Sequence, residues 1–78
     1  MFKFEELREE LRETFEMEEG KDWIKCNLEG EWIFSAYDCG DYCELLYYIN
    51  EGKCKDYIYK DWKIEGILKD IIRKIFDV

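Results

Sequence analysis

Two Glu-Gly dipeptides, Glu29-Gly30 and Glu51-Gly52, separate short runs rich in Trp, Ile, Phe and Tyr in the middle of this 78-residue chain. A two-residue turn with Gly where positive φ is needed suits the twist of the strands it joins. The dipeptides therefore divide the middle of the chain into two hairpins. Asp22 to Leu28 reads as a first strand, Glu31 to Asp38 as a second, Tyr42 to Asn50 as a third and Lys53 to Tyr59 as a fourth. Cys39-Gly40-Asp41 is the loop between the hairpins. Lys55 and Asp56 interrupt the fourth run, and without it the sheet has three strands.

The hydrophobic period is different at the two ends. Phe4, Leu7, Leu11 and Phe15 recur at helical spacing, which predicts a helix over residues 2–19 capped by Gly20. On that helix Glu6, Glu9, Glu13 and Glu16 project together from the opposite side, while Glu5–Arg8 and Glu9–Arg12 form i,i+3 pairs. Asp61 is the expected cap of a second helix ending near Phe76. Ile64, Ile67, Leu68, Ile71, Ile72 and Ile75 form its broad apolar face, and Lys63, Lys69, Arg73 and Lys74 its polar one. The reading is a single α+β domain over residues 1–78: a helix, a four-stranded antiparallel meander and a helix, with both helices on one face.

Plain two-residue turns fix which residues share a face. They place Cys26 opposite Ile33, Ile24 opposite Ser35, Ile49 opposite Cys54 and Leu45 opposite Ile58. One face then collects Ile24, Cys26, Leu28, Ile33, Cys43, Leu45, Ile49, Cys54 and Ile58, and the helices are expected to cover it. The other collects Trp23, Trp32, Phe34, Tyr42, Leu46, Tyr48, Tyr57 and Tyr59, with Lys25, Glu44 and Lys55. An uncovered face dense in Trp and Tyr has the composition of an interface, and ordinary cross-strand aromatic packing gives the same composition.

Composition removes several kinds of chemistry. The chain has no His, which excludes a Ser-His-Asp triad, a Cys-His pair and any His-ligated metal. It has no Gly-rich phosphate loop and no Asp-x-Asp-x-Asp-Gly metal loop, so no catalytic residue is assigned. Cys26, Cys39, Cys43 and Cys54 are the only thiols, and only Cys39 and Cys43 have the close spacing of zinc ligands. Buried or incidental thiols are the first reading, with a four-cysteine zinc site or disulfides as the alternatives. No cofactor is expected. The start lacks an apolar run of signal-peptide length and no run is long enough to span a bilayer, which gives an expectation of a cytoplasmic location.

Charge is distributed unevenly. Residues 1–51 hold 15 acids and 5 bases, whereas residues 52–78 hold 5 acids and 7 bases, for a formal total of −8. No Lys or Arg occurs between Lys25 and Lys53, an interval that holds Glu29, Glu31, Asp38, Asp41, Glu44 and Glu51 beside Trp32, Tyr42 and Tyr48. Direct binding to nucleic acid or to an anionic membrane needs Lys and Arg and is not expected. A solvated, solubilising face explains some of these acids. A partner with a basic channel explains why like charges are held together, because carboxylates at fixed spacing present charge much as a phosphate backbone does. The residues expected to meet such a partner are Glu6, Glu9, Glu13, Glu29, Glu31, Asp38, Asp41 and Glu44 for charge, with Trp32, Tyr42 and Tyr48 as anchors.

The order of elements, the charge of −8 and the acidic-aromatic stretch from Glu29 to Glu51 resemble the small acidic anti-CRISPR inhibitors made by phages and archaeal viruses. The resemblance is one of plan, without a shared motif. It implies a non-catalytic inhibitor of a nucleic-acid-binding host protein, such as a Cas effector, acting in the host cytoplasm. The element order is also similar to that of the double-stranded-RNA-binding fold. That fold opens its second helix with a Lys cluster, where this chain has Asp61-Trp62-Lys63-Ile64. A different expectation from the same residues is an assembly, regulatory or immunity-type subunit that dimerises or docks through its aromatic face.

Overall fold

The structure, a computed structural model, describes residues 4–50, 52–60 and 63–76, with the side chains of 49, 50 and 76 excepted. Residues 2 and 3 of the expected first helix, Glu51 of the second turn and the expected cap Asp61 lie outside the described residues, as does the side chain of Ile49. The elements run α1 (Phe4–Arg12), β1 (Glu16–Glu19), β2 (Trp23–Leu28), β3 (Glu31–Asp38), β4 (Tyr42–Asn50), β5 (Lys53–Lys60) and α2 (Ile64–Phe76). The strands form one antiparallel sheet in chain order. The class is α+β, as the sequence predicts, with five strands in place of four.

The extra strand comes from the first helix, which ends at Arg12 and does not reach residue 19. The N–H groups of Thr14 and Phe15 both donate to the Leu11 carbonyl, at 3.1 and 2.9 Å, which closes the last turn. Phe15 continues the apolar stripe from beyond the helix, packing edge-to-face on Phe34 at 5.3 Å. Glu16–Glu19 then pairs with β2 as an edge strand, against the low strand preference of Glu. Arg8 supplies a reason. Although nearly buried, it donates to the carbonyls of Gly20 and Lys21 and to the Glu19 carboxylate, tying α1 to the β1–β2 turn. Arg12 donates to Glu19 as well. Gly20 lies in that turn and is not a helix cap. A Cβ there would collide with the Trp23 indole lying over it.

The Glu29-Gly30 turn has positive φ at both residues, +53° and +82°, as a two-residue hairpin turn requires. Just beyond each hairpin turn the register shifts by one residue. In the first hairpin Asn27 faces Trp32 but Cys26 faces Phe34, leaving Ile33 as the extra residue of a bulge. In the second, Asn50 faces Lys53 but Tyr48 faces Cys54, leaving Ile49 as the extra residue. Beyond each bulge the residues of the second strand of the hairpin change face relative to the strand they pair with in a plain two-residue register. Phe34, Tyr57 and Tyr59, expected on the open face, therefore lie on the helix side, whereas Cys54 and Ile58, expected in the core, lie on the open side. Lys55 moves to the helix side, where its ammonium is 5.5 Å from the Tyr57 ring.

The core joins Phe4, Leu7 and Leu11 of α1 to Ile24, Cys26, Phe34, Ala36, Cys43, Leu45 and Tyr47 of the sheet and to Ile67 and Ile71 of α2. Both helices thus cover one face of the sheet. The apolar face of α2 is narrower than its sequence suggests. Ile72 is half-exposed, and Lys74 turns inward, pairing with Asp70 at 2.9 Å and lying 4.3 Å from the Tyr57 ring centre. Asp70 also accepts a hydrogen bond from the Tyr59 hydroxyl. No helix among the described residues is long and apolar enough to cross a membrane.

Candidate functional site

Alternation along the strands places Glu16 and Glu18 of β1, Lys25 and Asn27 of β2, and Trp32 and Tyr37 of β3 on the face without helices. Trp23 of β2, Tyr42, Glu44, Leu46 and Tyr48 of β4, and Cys54, Asp56, Ile58 and Lys60 of β5 lie on the same face. Trp32 and Tyr48 meet edge-to-face at 6.0 Å. The Trp32 indole N–H donates to Ser35 Oγ at 2.8 Å, which satisfies its polar atom and seals Ser35 beneath the ring. What Trp32 offers outward is therefore apolar ring surface. Tyr48 is 45% exposed and Ile58 57%, and Leu46 and Tyr42 are half-buried beside them. The bulge at Ile49 is what brings Ile58 into this patch.

The acids expected at the site do not form one array. Glu6 and Glu9 are exposed on α1, in the helical layer, and Glu9 pairs with Arg12 at 3.0 Å. Glu13 lies in the turn after α1, so it does not project with them, and Glu16 has moved to the open face of the sheet. Glu29 and Glu31 are at one end of β3, and Asp38 and Asp41 at the other, about 25 Å away along an eight-residue strand. Asp38 accepts a hydrogen bond from the Gly40 N–H at 3.0 Å, which shapes the β3–β4 turn. Of the expected acids only Glu44 lies within the open aromatic face, opposite Tyr37 and Ile58. The structure brings Trp32 and Tyr48 into contact and places Glu44 and Tyr42 further along the same face, with Asp41 in the turn at that end and Glu29 in the turn at the other, whereas Asp38, opposite Cys43, alternates to the helix side. Glu16, Glu18 and Ile58 join the open face, and a helical reading of residues 16–18 hides two of these three.

The four cysteines are placed apart. Cys26 and Cys43 are buried in the core, and burial pushes both thiols up to about 12. Cys39 and Cys54 are exposed near opposite ends of β4. The Cys39 thiol donates to the Tyr37 carbonyl at 3.9 Å and lies near enough to the Tyr42 hydroxyl to raise that phenol above its ordinary value. No group of three or more Cys, Asp or Glu positioned to hold a metal ion occurs among the described residues.

A second polar group lies under α2. The Tyr47 hydroxyl is buried and makes no hydrogen bond of normal geometry, although it is near enough to Tyr59 for the two phenols to influence each other. Tyr59 and Lys74 hold the Asp70 carboxyl below the usual carboxylate range. These groups fix the helix to the sheet. Burial raises both phenols further above their ordinary value.

No protein-family model matches the chain, and neither a curated protein nor a solved structure is found to be similar to it.

Proposed function

We propose that this chain is a non-catalytic, acidic protein-binding inhibitor that docks the open face of its sheet on a basic, nucleic-acid-binding protein and blocks the channel of that protein. The observation that carries the reading is the patch of Trp32, Tyr42, Leu46, Tyr48 and Ile58, left uncovered by both helices and bordered by carboxylates. Aromatic anchors of this kind supply affinity, and surrounding charge supplies steering and fast association. Glu44 lies within the contact, Asp41 and Glu29 border it, and Glu6, Glu9, Glu13, Glu31 and Asp38 add to the long-range field. A Cas effector is one partner with the required chemistry, in keeping with the anti-CRISPR-like plan, and the host cytoplasm is then the place of action. The test is a triple reversal, Asp38→Lys, Asp41→Lys and Glu44→Lys. Asp41 is exposed and Glu44 half-exposed, whereas Asp38 also accepts the Gly40 N–H of the β3–β4 turn, so the double variant Asp41→Lys, Glu44→Lys, which keeps that bond, is measured beside the triple, and inhibition of the partner should fall at least tenfold in both. Undiminished inhibition by the folded triple variant contradicts the reading.

The exposure of Tyr48 and Ile58 favours a second reading, in which the same face pairs two copies of the chain or docks in a permanent assembly. Such an aromatic interface responds little to ionic strength, whereas the charge-bordered contact weakens steeply with salt.

A further inference from the structure

We infer that the hollow between β1 and Trp32 is an arginine pocket, which receives a guanidinium of the basic partner between the Glu16 and Glu18 carboxylates and the Trp32 ring. The inference rests on the open face being the docking surface. It adds the side chain that this part of the face selects.

The pocket follows from the register. Glu16 faces Asn27, and Asn27 faces Trp32, so these three residues form one row across three strands on the open side. Glu18 faces Lys25 in the next row. The hollow they line has a volume of about 440 Å³. Met17, Asn27 and Gly30 line it as well, and the register sets Trp32 of β3 on one side of Asn27 and Glu16 of β1 on the other. Trp32 is held in place by its bond to Ser35 and its contact with Tyr48. Glu16 is held by one oxygen, which accepts the Gly30 N–H at 3.2 Å, and a carboxylate has acceptor capacity to spare. Glu18 meets Lys25 at 3.7 Å between side chains 63% and 44% exposed, a loose pair that a better-fitting cation displaces.

An aromatic wall facing two carboxylates suits a guanidinium better than an ammonium. Guanidinium is planar, stacks on an indole and donates in a fork that matches a carboxylate, whereas ammonium is a compact and strongly hydrated point charge. The partner is then expected to place an Arg of its own nucleic-acid site in this hollow.

The direct test is titration of the ¹⁵N-labelled full chain with the peptide acetyl-Gly-Arg-Gly-amide. Controls are the same peptide with citrulline, which keeps the shape without the charge, and with lysine. Saturable shifts of the Trp32 indole N–H and of the Glu18, Lys25 and Asn27 amides are expected, with the citrulline peptide at least tenfold weaker and the lysine peptide weaker than arginine. Glu18→Gln, on an exposed edge strand, should weaken the arginine peptide severalfold with the rest of the spectrum unchanged. Equal shifts from arginine and citrulline, shifts spread over α1 and residues 38–44, or no effect of Glu18→Gln each overturn the pocket. If the pocket fails while a basic partner is still blocked through Trp32 and Tyr48, the docking reading stands without it. A pocket that passes while no partner is blocked leaves the site and removes the inhibitor reading.

Discussion

Cys26 and Cys43 face the helices with no exposed surface, whereas Cys39 and Cys54 lie in water. Only a thiolate reacts with a disulfide reagent, and burial both blocks access and pushes these two thiols up to about 12. A colorimetric thiol titration of the native protein at pH 8 should therefore count two fast thiols, with the other two appearing only on addition of denaturant. Substituting Cys39 and Cys54 by Ser should abolish the fast phase. Single residues are unevenly legible in the sequence. Leu7, Leu11, Ile24 and Leu45 announce their burial by apolar spacing, and all four are buried. Arg8 gives no such signal. As the first base in a run of Glu it reads as a surface partner of Glu5, and that pair is present at 3.3 Å. Its burial depends on the Gly20 and Lys21 carbonyls, which come within reach only after the chain reverses.

At the scale of elements, the boundaries of β3 and β4 and the Glu29-Gly30 turn follow from the sequence, because turn chemistry and β-rich runs are local signals. The bulges at Ile33 and Ile49 do not. A bulge residue is chosen by whether the next side chain, Phe34 in one hairpin, packs against Phe15 and Tyr47, and those contacts are distant in sequence. The edge strand β1 is hidden for the same reason, since its Glu residues keep helical spacing while cross-strand pairing and the Arg8 contacts decide its state. The bulge makes a counterintuitive prediction. Deleting Ile33 leaves Asn27 opposite Trp32 and Cys26 opposite Phe34 in a regular ladder, so no side chain changes face. The deletion variant should fold with the same pattern of Trp and Tyr burial. It should lose only the packing of a half-buried Ile, about 1 kcal/mol, or a Tm lower by about 4–8 °C. Loss of the folded amide spectrum would show that the bulge itself is required.

The attachment of α2 makes a pH prediction. The hydrogen bond from Tyr59, and then the Lys74 ammonium, lower the Asp70 pKa in the folded state. The carboxylate therefore contributes stability above the unfolded carboxyl range, near pH 4, and that contribution is lost as the pH falls through the lower folded value. Asp70→Asn should cost about 1 kcal/mol at pH 7, the scale of a charged hydrogen bond at a partly exposed site. Its deficit relative to the parent should shrink in acid. Denaturant unfolding at pH 7 and pH 3 measures both, and a deficit independent of pH would show that Asp70 is not ionised in that contact.

Over the whole molecule, the sheet separates two kinds of surface. One side carries both helices and the Lys-bearing face of Tyr57, and the other carries an aromatic patch bordered by acids. The sequence displays the charge imbalance and the uncovered aromatic face, but not how its acids divide among the helix layer, the two ends of β3 and the edge strand. That division depends on strand direction and on where α1 stops. Asp41, Glu44, Glu16 and Glu18 lie on or beside the face that carries Trp32 and Tyr48, while Asp38, on the helix side opposite Cys43, and Glu6 and Glu9 act at longer range. The most direct measurement is binding to a basic nucleic-acid-binding protein captured from the native host, made with the parent and with a Trp32→Ser, Tyr48→Ser double variant across 50–500 mM salt. The parent should bind tightly at low salt, release as salt rises and displace nucleic acid from the partner, and the folded double variant should do none of these. Equal binding by parent and double variant, or binding indifferent to salt, would contradict the proposed docking.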